Sequence, residues 1–325
     1  MRRRIIALAA AGLLALTGCA SDPGPSSDPS SAAAGSSLAD VELSGAGPGE
    51  AAPTAEFEAP LAIVGDGEGL VVSEGDGAEV ADGGWALAQF TQWDATTGEI
   101  AGSTYDENAP QLFVVDDQSL APALYEVLDG ATVGSRLLLG LSTAGAADGS
   151  TGALVVLDVV DAGTSLRAEG DPVAPAEGLP TVTLAENGAP TITVPAGAVP
   201  PADLQVQTLL RGAGEQVSAG DTVVVEYTGA LYADGTVFDT SWNRDVAGTG
   251  PAPTAFSLDA VVEGWSGLVG QTVGSQVLLV IPPALGYGDQ EQTGIPANST
   301  LVFVVDILGT YTGPALDDAA ATPTP

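Results

Sequence analysis

An internal repeat is the feature that most constrains how this chain can fold. Three short segments recur later in the chain in the same order. The matched pairs are 74–80 with 211–217, 129–139 with 269–279, and 155–160 with 303–308. Their separation grows from 137 to 148 residues, so the second copy has the longer loops. The shared order favours duplication over chance similarity in a biased composition, and it predicts two copies of one unit, at about 61–163 and 203–312.

The amino terminus has the pattern of a secretory signal. Arg2, Arg3 and Arg4 precede an apolar stretch, Ile5 to Leu16, that is too short to cross a membrane comfortably. The stretch ends in Leu16-Thr17-Gly18-Cys19, which resembles the lipobox of bacterial lipoproteins, and Cys19 is the only cysteine. We therefore expect a lipid on Cys19 that anchors the protein extracytoplasmically, at the outer face of the bacterial cell membrane. An ordinary signal peptide that happens to contain a cysteine is the alternative.

The composition of the remaining segments divides the chain further. Residues 20–52 are rich in Ser, Ala, Gly, Pro and Asp and predict a flexible spacer. Residues 169–202 are rich in proline and predict a linker, although 181–184 and 191–194 alternate like short strands. The predicted boundaries are 1–19 signal peptide, 20–52 spacer, 53–168 first domain, 169–202 linker, 203–312 second domain and 313–325 disordered tail.

The residue types that are missing exclude several chemistries. The chain has no histidine and no lysine, and its 42 acidic residues against 7 arginines give a formal net charge of −35. Without histidine or lysine there is no Ser-His pair, no imidazole metal site and no Schiff base. The negative charge argues against a nucleic-acid partner, because binding nucleic acid requires lysine or arginine side chains at the phosphates. Carboxylate chemistry remains, or chemistry that needs no acid, base, metal or cofactor, and we expect neither metal nor cofactor.

The second copy has the clearer secondary-structure signals. Runs rich in β-branched residues predict strands at Thr222–Tyr227, Ser275–Ile281 and Thr300–Leu308. One stretch, Leu258–Leu268, has the spacing of a helix. Several antiparallel strands and one short helix define an α+β unit.

Six ordered motifs of the second copy resemble the FKBP family of peptidyl-prolyl cis-trans isomerases, over about residues 203–310. The motifs are Val225-Glu226-Tyr227-Thr228-Gly229, Asp234-Gly235-Thr236-Val237-Phe238-Asp239-Thr240-Ser241, Val261-Val262-Glu263-Gly264-Trp265, Ile281-Pro282-Pro283-Ala284-Leu285-Gly286-Tyr287-Gly288, Ile295-Pro296 and Thr300-Leu301-Val302-Phe303. The resemblance implies two FKBP-like domains, each a curled antiparallel β-sheet around one short helix, with the first domain degenerate.

The resemblance also assigns roles to residues of the second copy. Trp265 is implied as the floor of a proline pocket, and its implied walls are Tyr227, Phe238, Val262, Ile295 and Phe303. The Tyr287 hydroxyl and the Val262 backbone N–H are implied donors to a substrate carbonyl. Asp239 is expected at the rim, hydrogen-bonded to Tyr227 or paired with Arg244. Phe256 and Arg244 are expected to contact the substrate.

Two loops depart from the family pattern. The loop from Asp245 to Ala255 is longer than the family pattern and rich in Gly and Pro. The family often has a pocket-lining aromatic just before the next strand, and in this chain that position falls near Thr254. The pocket is therefore expected to be more open on that side. The loop Asp289–Gly294 is acidic and polar and is expected to disfavour acidic substrates.

The first copy has lost most of the implied site. Repeat alignment places Phe90 at the position of Tyr227, Ala101-Gly102 near Phe238-Asp239, Tyr125 at Trp265 and Ala147 at Tyr287. We expect a similar fold without isomerase activity, which binds extended chains or only spaces the second domain from the membrane.

The leading hypothesis is a lipid-anchored prolyl isomerase that acts on proline-containing unfolded or secreted proteins. The family also implies macrolides such as tacrolimus or rapamycin as ligands. A non-catalytic module that holds proline-containing segments is the alternative. A carboxylate hydrolase is a weaker one, because Phe238-Asp239-Thr240 continues with Ser241 rather than the glycine of aspartic proteases. No stretch has the spacing of an EF-hand calcium loop.

Overall fold

The computed structural model describes residues 36–142, 152–244 and 252–314. The predicted signal peptide, Cys19 and all but the first two residues of the predicted tail lie outside the described residues. Within the described residues, no helix is long and apolar enough to cross a membrane.

The segment before the first copy is structured from Ser36 onward, so the prediction of a flexible spacer over 20–52 is wrong there. Leu38–Asp40 form a 3-10 helix, and β1 (Glu42–Ser44) pairs with β2 (Thr54–Glu56) in an antiparallel hairpin. Leu38 is only 2% exposed and packs against the first sheet, together with Leu43 and Leu61. A few apolar residues among many small polar ones therefore suffice to anchor this segment.

The first copy is one antiparallel sheet with a short helix on one face. Its elements are β3 (Gly67–Ser73), β4 (Trp85–Asp94), β5 (Ile100–Ser103), β6 (Gln111–Val114), α1 (Pro122–Leu128), β7 (Arg136–Ser142) and β8 (Gly152–Gly163). The strand order is β3-β7-β8-β4-β5, and β6 pairs with β4. Alternate residues face opposite sides, so Leu137 and Leu139 join the core with α1 while Leu138 faces the amino-terminal segment.

Part of the segment between the copies packs on the second sheet, as the alternating pattern within the predicted linker allowed. β9 (Asp171–Pro172) pairs with the edge of that sheet, and β10 (Thr181–Leu184) forms a hairpin with β11 (Pro190–Thr193). Ile192 is buried in a cluster with side chains of the second sheet. The strand prediction at 181–184 is confirmed, and the second strand lies one residue earlier than the alternation indicated.

The second copy repeats the topology of the first. Its elements are β12 (Gln205–Arg211), β13 (Thr222–Leu231), β14 (Val237–Thr240), β15 (Thr254–Ser257), a 3-10 helix (Glu263–Leu268), β16 (Gln276–Ile281), a 3-10 helix (Pro283–Leu285) and β17 (Leu301–Tyr311). The order is β14-β13-β17-β16-β12-β9, and β15 pairs with β13. Register irregularities also correspond, after Leu87 in β4 and after Val224 in β13.

The helix of the second copy is shorter than the sequence predicted. The helical spacing over 258–268 indicated three turns, but the chain forms a six-residue 3-10 helix from Glu263. Val262 is extended, and Gly264 and Gly267 both have low helix propensity. A Cβ on Gly264 would lie 2.4 Å from Ile281 Cγ2, so glycine lets this helix lie directly against the sheet.

The two copies pack against each other through one apolar cluster. Trp85 and Leu87 of the first copy are buried with Val224 and Leu308 of the second. A Cβ on Gly309 would lie 2.4 Å from the Trp85 ring, so the tryptophan packs directly on the backbone of β17.

Candidate proline-binding site

Trp265 lies at the centre of an aromatic cluster in the second copy. It projects from the 3-10 helix and is 3% exposed. Its ring centroid lies 5.3 Å from that of Phe256, 5.4 Å from Phe303 and 6.0 Å from Tyr227, each in an edge-to-face arrangement. Such contacts add to the stabilisation from burial and fix the orientation of the indole.

The sheet contributes the facing aromatic side chains. Phe303 of β17 lies opposite Gly229 of β13, and Phe238 of β14 lies 5.5 Å from Phe303 between ring centroids. A Cβ on Gly229 would come within 2.6 Å of Phe238 and 2.8 Å of Phe303. Glycine at position 229 therefore makes room for both rings, a role that the sequence analysis did not assign.

The expectation of a more open pocket near Thr254 stays a prediction, because residues 245–251 of the adjoining loop lie outside the described residues. Thr254 and Phe256 are two residues apart in β15 and share a face of the strand. The Phe256 ring lies 5.6 Å from that of Tyr227, whereas the Thr254 hydroxyl accepts a hydrogen bond from Arg244 at 2.8 Å. Phe256 thus packs against Tyr227 from β15, and Thr254 holds the Arg244 side chain.

A network of Tyr227, Asp239 and Arg244 forms that rim. The Tyr227 hydroxyl donates a hydrogen bond to Asp239, and Arg244 donates to that hydroxyl at 2.9 Å and to Asp239 at 3.0 Å. Both partners expected for Asp239 are therefore present together. Burial, followed by the hydrogen bond to Asp239, raises the pKa of Tyr227 and keeps its hydroxyl protonated.

A second network, which the sequence analysis missed, supports the rim from the opposite face of β13. The Ser241 hydroxyl donates to the Glu226 carboxylate and accepts the backbone N–H of Tyr227 at 2.8 Å. Glu226 is fully buried, and burial raises its pKa to about 7. Its other carboxylate oxygen has no partner among the described residues. These contacts fix the end of β14, which carries Asp239, against β13.

The remaining predicted residues lie in or beside the same cluster, except that Tyr287 is partly exposed. Ile295 is buried in the same cluster as Trp265, and Val262 packs against it from the start of the 3-10 helix. Among the described residues we find no acceptor for the Val262 backbone N–H. Tyr287 is 38% exposed, and burial raises its pKa, with a smaller effect of the Asp239 charge. Its hydroxyl is therefore a proton donor at neutral pH.

The first copy retains an apolar face but not the rim. Strand register places Phe90 at the position of Tyr227, Phe113 at Phe256 and Val155 at Phe303. The same register places Ala101 at Phe238 and Gly102 at Asp239. Ala147, the predicted counterpart of Tyr287, lies outside the described residues. In the part of the chain that the structure describes, no three acidic or cysteine side chains are placed to hold a metal ion.

Comparison with known proteins identifies the class of protein. The sequence pattern of the family described as FKBP-type peptidyl-prolyl cis-trans isomerase matches residues 213–308. A protein named FK506-binding protein from Streptomyces anulatus is 41% identical over 124 residues, which cover 37% of this chain and 94% of that protein. The chain belongs to the FKBP-type peptidyl-prolyl cis-trans isomerase family, as the six motifs of the second copy predicted.

A second relative, longer than the Streptomyces protein, matches over part of its length. The FKBP-type peptidyl-prolyl cis-trans isomerase FkpA of Escherichia coli (strain K12) is 44% identical over 115 residues, which are 35% of this chain and 40% of FkpA. The crystal structure of Escherichia coli FkpA matches with 36% identity and a TM-score of 0.31, over 43% of this chain and 54% of that chain. The chain thus spans about two fifths of the length of FkpA in sequence.

Proposed function

We propose that residues 203–312 catalyse cis-trans rotation about X–Pro bonds of polypeptide substrates. The observation that carries this proposal is the aromatic cluster, in which the buried Trp265 lies edge-to-face with Tyr227, Phe256 and Phe303. A flat apolar floor with aromatic walls fits a proline ring. Membership of the FKBP-type family supports the same reaction.

The reaction needs little from the protein beyond such a pocket. Amide resonance gives a rotation barrier of roughly 18–20 kcal/mol, and rotation transfers no proton or bond. In the twisted transition state the amide loses double-bond character. A pocket that excludes water from the amide and fits the twisted form stabilises that state over the ground state. Each 1.36 kcal/mol gained this way gives about a tenfold faster rate.

The polar groups at the opening hold the substrate rather than react with it. The Val262 N–H and the Tyr287 hydroxyl can each donate to a substrate carbonyl next to the proline. Asp239 already accepts hydrogen bonds from Tyr227 and Arg244. A carboxylate held in this way is a poor general base, which disfavours the hydrolase alternative.

We propose that the first copy has no isomerase activity. It lacks the Phe238 and Asp239 side chains, and Tyr125 replaces the tryptophan of the pocket floor. An isolated domain is not required for the test, because substitutions in either copy of the full chain separate their contributions.

The test is exchange spectroscopy on a short X–Pro peptide, with the full chain as catalyst. We expect accelerated exchange that Tyr287→Phe reduces about tenfold, since the variant loses one donor to the transition state. Tyr311→Phe, a change of the same kind outside the pocket, is the control. If the folded wild type binds the peptide without accelerating exchange, the holding module is the correct function. Competition by FK506 for the peptide would support a macrolide-binding pocket.

We also propose that the protein acts outside the cytoplasm, tethered through a lipid on Cys19. The support is the basic and apolar leader that precedes the only cysteine. Cys19→Ser should move the protein from the membrane fraction to the soluble fraction of an expressing bacterium. Equal fractionation of both proteins would contradict the anchor.

A further inference from the structure

The outer edge of β3 in the first copy is an open strand edge. β3 ends the strand order of its sheet, and among the described residues no strand pairs with its outer side. Leu70, Val71 and Val72 follow one another on it and are 41%, 49% and 47% exposed. Soluble proteins usually protect such edges with charges, prolines or a covering segment. None of these three residues is charged, and none is a proline.

The corresponding edge of the second copy is occupied by an extended strand. β9 pairs there with β12, so that Leu210 lies opposite Pro172 and Arg211 opposite Asp171. Val173 extends the contact by donating its N–H to the Leu209 carbonyl at 2.9 Å. The fold thus accepts an added strand at this edge.

Strand register transfers this observation to the first copy. Gly69 lies opposite Leu139 in β7, as Val206 lies opposite its counterpart Leu279 in β16. Val72 therefore corresponds to Leu209, and Leu70 corresponds to Gln207. Val72 and Leu209 also lie at the same register irregularity, between Val71 and Ser73 in β3 and between Thr208 and Leu210 in β12. The carbonyl of Val72 is therefore directed outward, where the carbonyl of Leu209 meets β9.

We propose that this edge binds an extended, apolar segment of an unfolded polypeptide by strand addition. Backbone pairing would supply the affinity, and exposed Leu70 and Val72 would contact side chains of the added strand. Glu68, Glu74 and Asp76 flank the apolar run in a chain of net charge −35, so the preferred segment carries lysine or arginine at its ends.

The same charges argue against a second copy of this chain as the occupant. Two β3 strands paired antiparallel about Val71 would place Glu68 of one opposite Glu74 of the other. Like charges directly opposite each other destabilise a strand pair. The site does not use the aromatic pocket, so it does not depend on the isomerase proposal.

The test uses a fluorescent peptide that has a Thr-Val alternating core, two lysines at each end and no proline. Binding to the full chain is followed by fluorescence anisotropy. A peptide with the same lysines and a Gly-Ser core controls for simple charge attraction. We expect the Thr-Val peptide to bind at least about tenfold more tightly than the Gly-Ser peptide.

Two double variants locate the binding site. Leu70→Lys with Val72→Lys should weaken binding of the Thr-Val peptide about tenfold or more. Leu184→Lys with Val199→Lys makes the same changes at other exposed positions, 48% and 84% exposed, and should leave binding unchanged. Circular dichroism and thermal melting establish that both variants are folded.

Any of several results would overturn the proposal. One is equal binding of the two peptides, and one is equal loss in the two double variants. Another is concentration-dependent self-association that the β3 variant abolishes, which would identify a second copy as the occupant. The last is binding that arises only after deletion of residues 20–35, which would identify that segment as the occupant.

Discussion

The Arg244 guanidinium lies 5.5 Å from the centre of the Tyr227 ring and donates a hydrogen bond to its hydroxyl at 2.9 Å. The same guanidinium pairs with Asp239, and both charged side chains of that pair are more than 40% exposed. Exposed ion pairs contribute little to the free energy of unfolding. The arrangement therefore serves to orient the Tyr227 hydroxyl and the rim rather than to stabilise the fold.

Arg244→Met should lower kcat/KM for an X–Pro peptide about three- to tenfold and change the free energy of unfolding by less than about 1 kcal/mol. Arg211→Met, which removes an exposed arginine from β12, should change neither. Isomerase assays and urea unfolding provide the two measurements. A loss of stability of several kcal/mol with unchanged kcat/KM would contradict the orienting role.

The buried carboxyl groups predict that stability falls as pH rises above 5. Burial raises the folded-state pKa of Glu226 and of Asp161 to about 7, and that of Asp306 to about 6. These groups hold a proton more tightly in the folded state than in the unfolded state. Stability from these groups is therefore full below their unfolded pKa of about 4 and is lost as pH rises through 6 and 7.

Thermal melting at pH 5 and pH 8 measures this effect, and the melting temperature should be higher at pH 5. Glu226→Gln keeps the acceptor for Ser241 without a titrating group, so the difference between the two pH values should shrink. The contribution of Glu226 is on the order of 1–3 kcal/mol. Glu177→Gln, at an exposed position, should keep the full pH dependence. A melting temperature that increases from pH 5 to pH 8 would contradict the assignment.

The first copy contains a buried ion pair where the second has a neutral partner. Arg136 contacts both oxygens of Asp158 at 2.7 Å, and it also donates to the Ala46 carbonyl at 3.0 Å. At the equivalent register position, Gln276 donates to Asp306 at 2.8 Å. Arg136→Met should cost about 3–5 kcal/mol because it leaves a charged Asp158 buried without its cation.

Gln276→Met is the matched change and should cost only about 1–2 kcal/mol. Urea unfolding of the two variants compares these losses directly. Hydrogen exchange around Ala46 and Gly49 should also accelerate in Arg136→Met, because Gly49 donates its N–H to Asp158. Equal losses in the two variants would show that the ion pair has no special role.

The parts of the fold that follow local patterns could be predicted from the sequence. β-branched runs indicated the strands of the second copy, and the repeat predicted a second sheet of the same kind. The length of the helix was overestimated because four apolar residues have helical spacing, namely Val261, Val262, Trp265 and Leu268. Gly264 and Gly267 weaken an α-helix, so only the short 3-10 helix forms. The amino-terminal hairpin was missed because its anchor, Leu38, is isolated among small polar residues and packs with residues distant in sequence, such as Leu138 and Leu154.

The aromatic residues of the site were accessible to sequence reasoning, but parts of the polar network were not. Tyr227, Trp265 and Phe303 stand in recognisable motifs, and the Arg244–Asp239 pair was one of two alternatives. Strand alternation cannot show whether a residue that points away from the pocket is covered by other segments. Glu226 was therefore not recognised as a buried acid, and its contact with Ser241 depends on how β14 pairs with β13.

The most direct test of the account compares Trp265→Leu with Tyr125→Leu in the full chain. The two residues occupy the same position in the two copies, and the assay is catalysed cis-trans exchange of an X–Pro peptide. We predict that Trp265→Leu lowers catalysis at least about tenfold, because the floor of the pocket is lost, while Tyr125→Leu retains it. Circular dichroism must show both variants to be folded. Equal activities of the two variants, or a larger loss in Tyr125→Leu, would contradict the assignment of catalysis to the second copy.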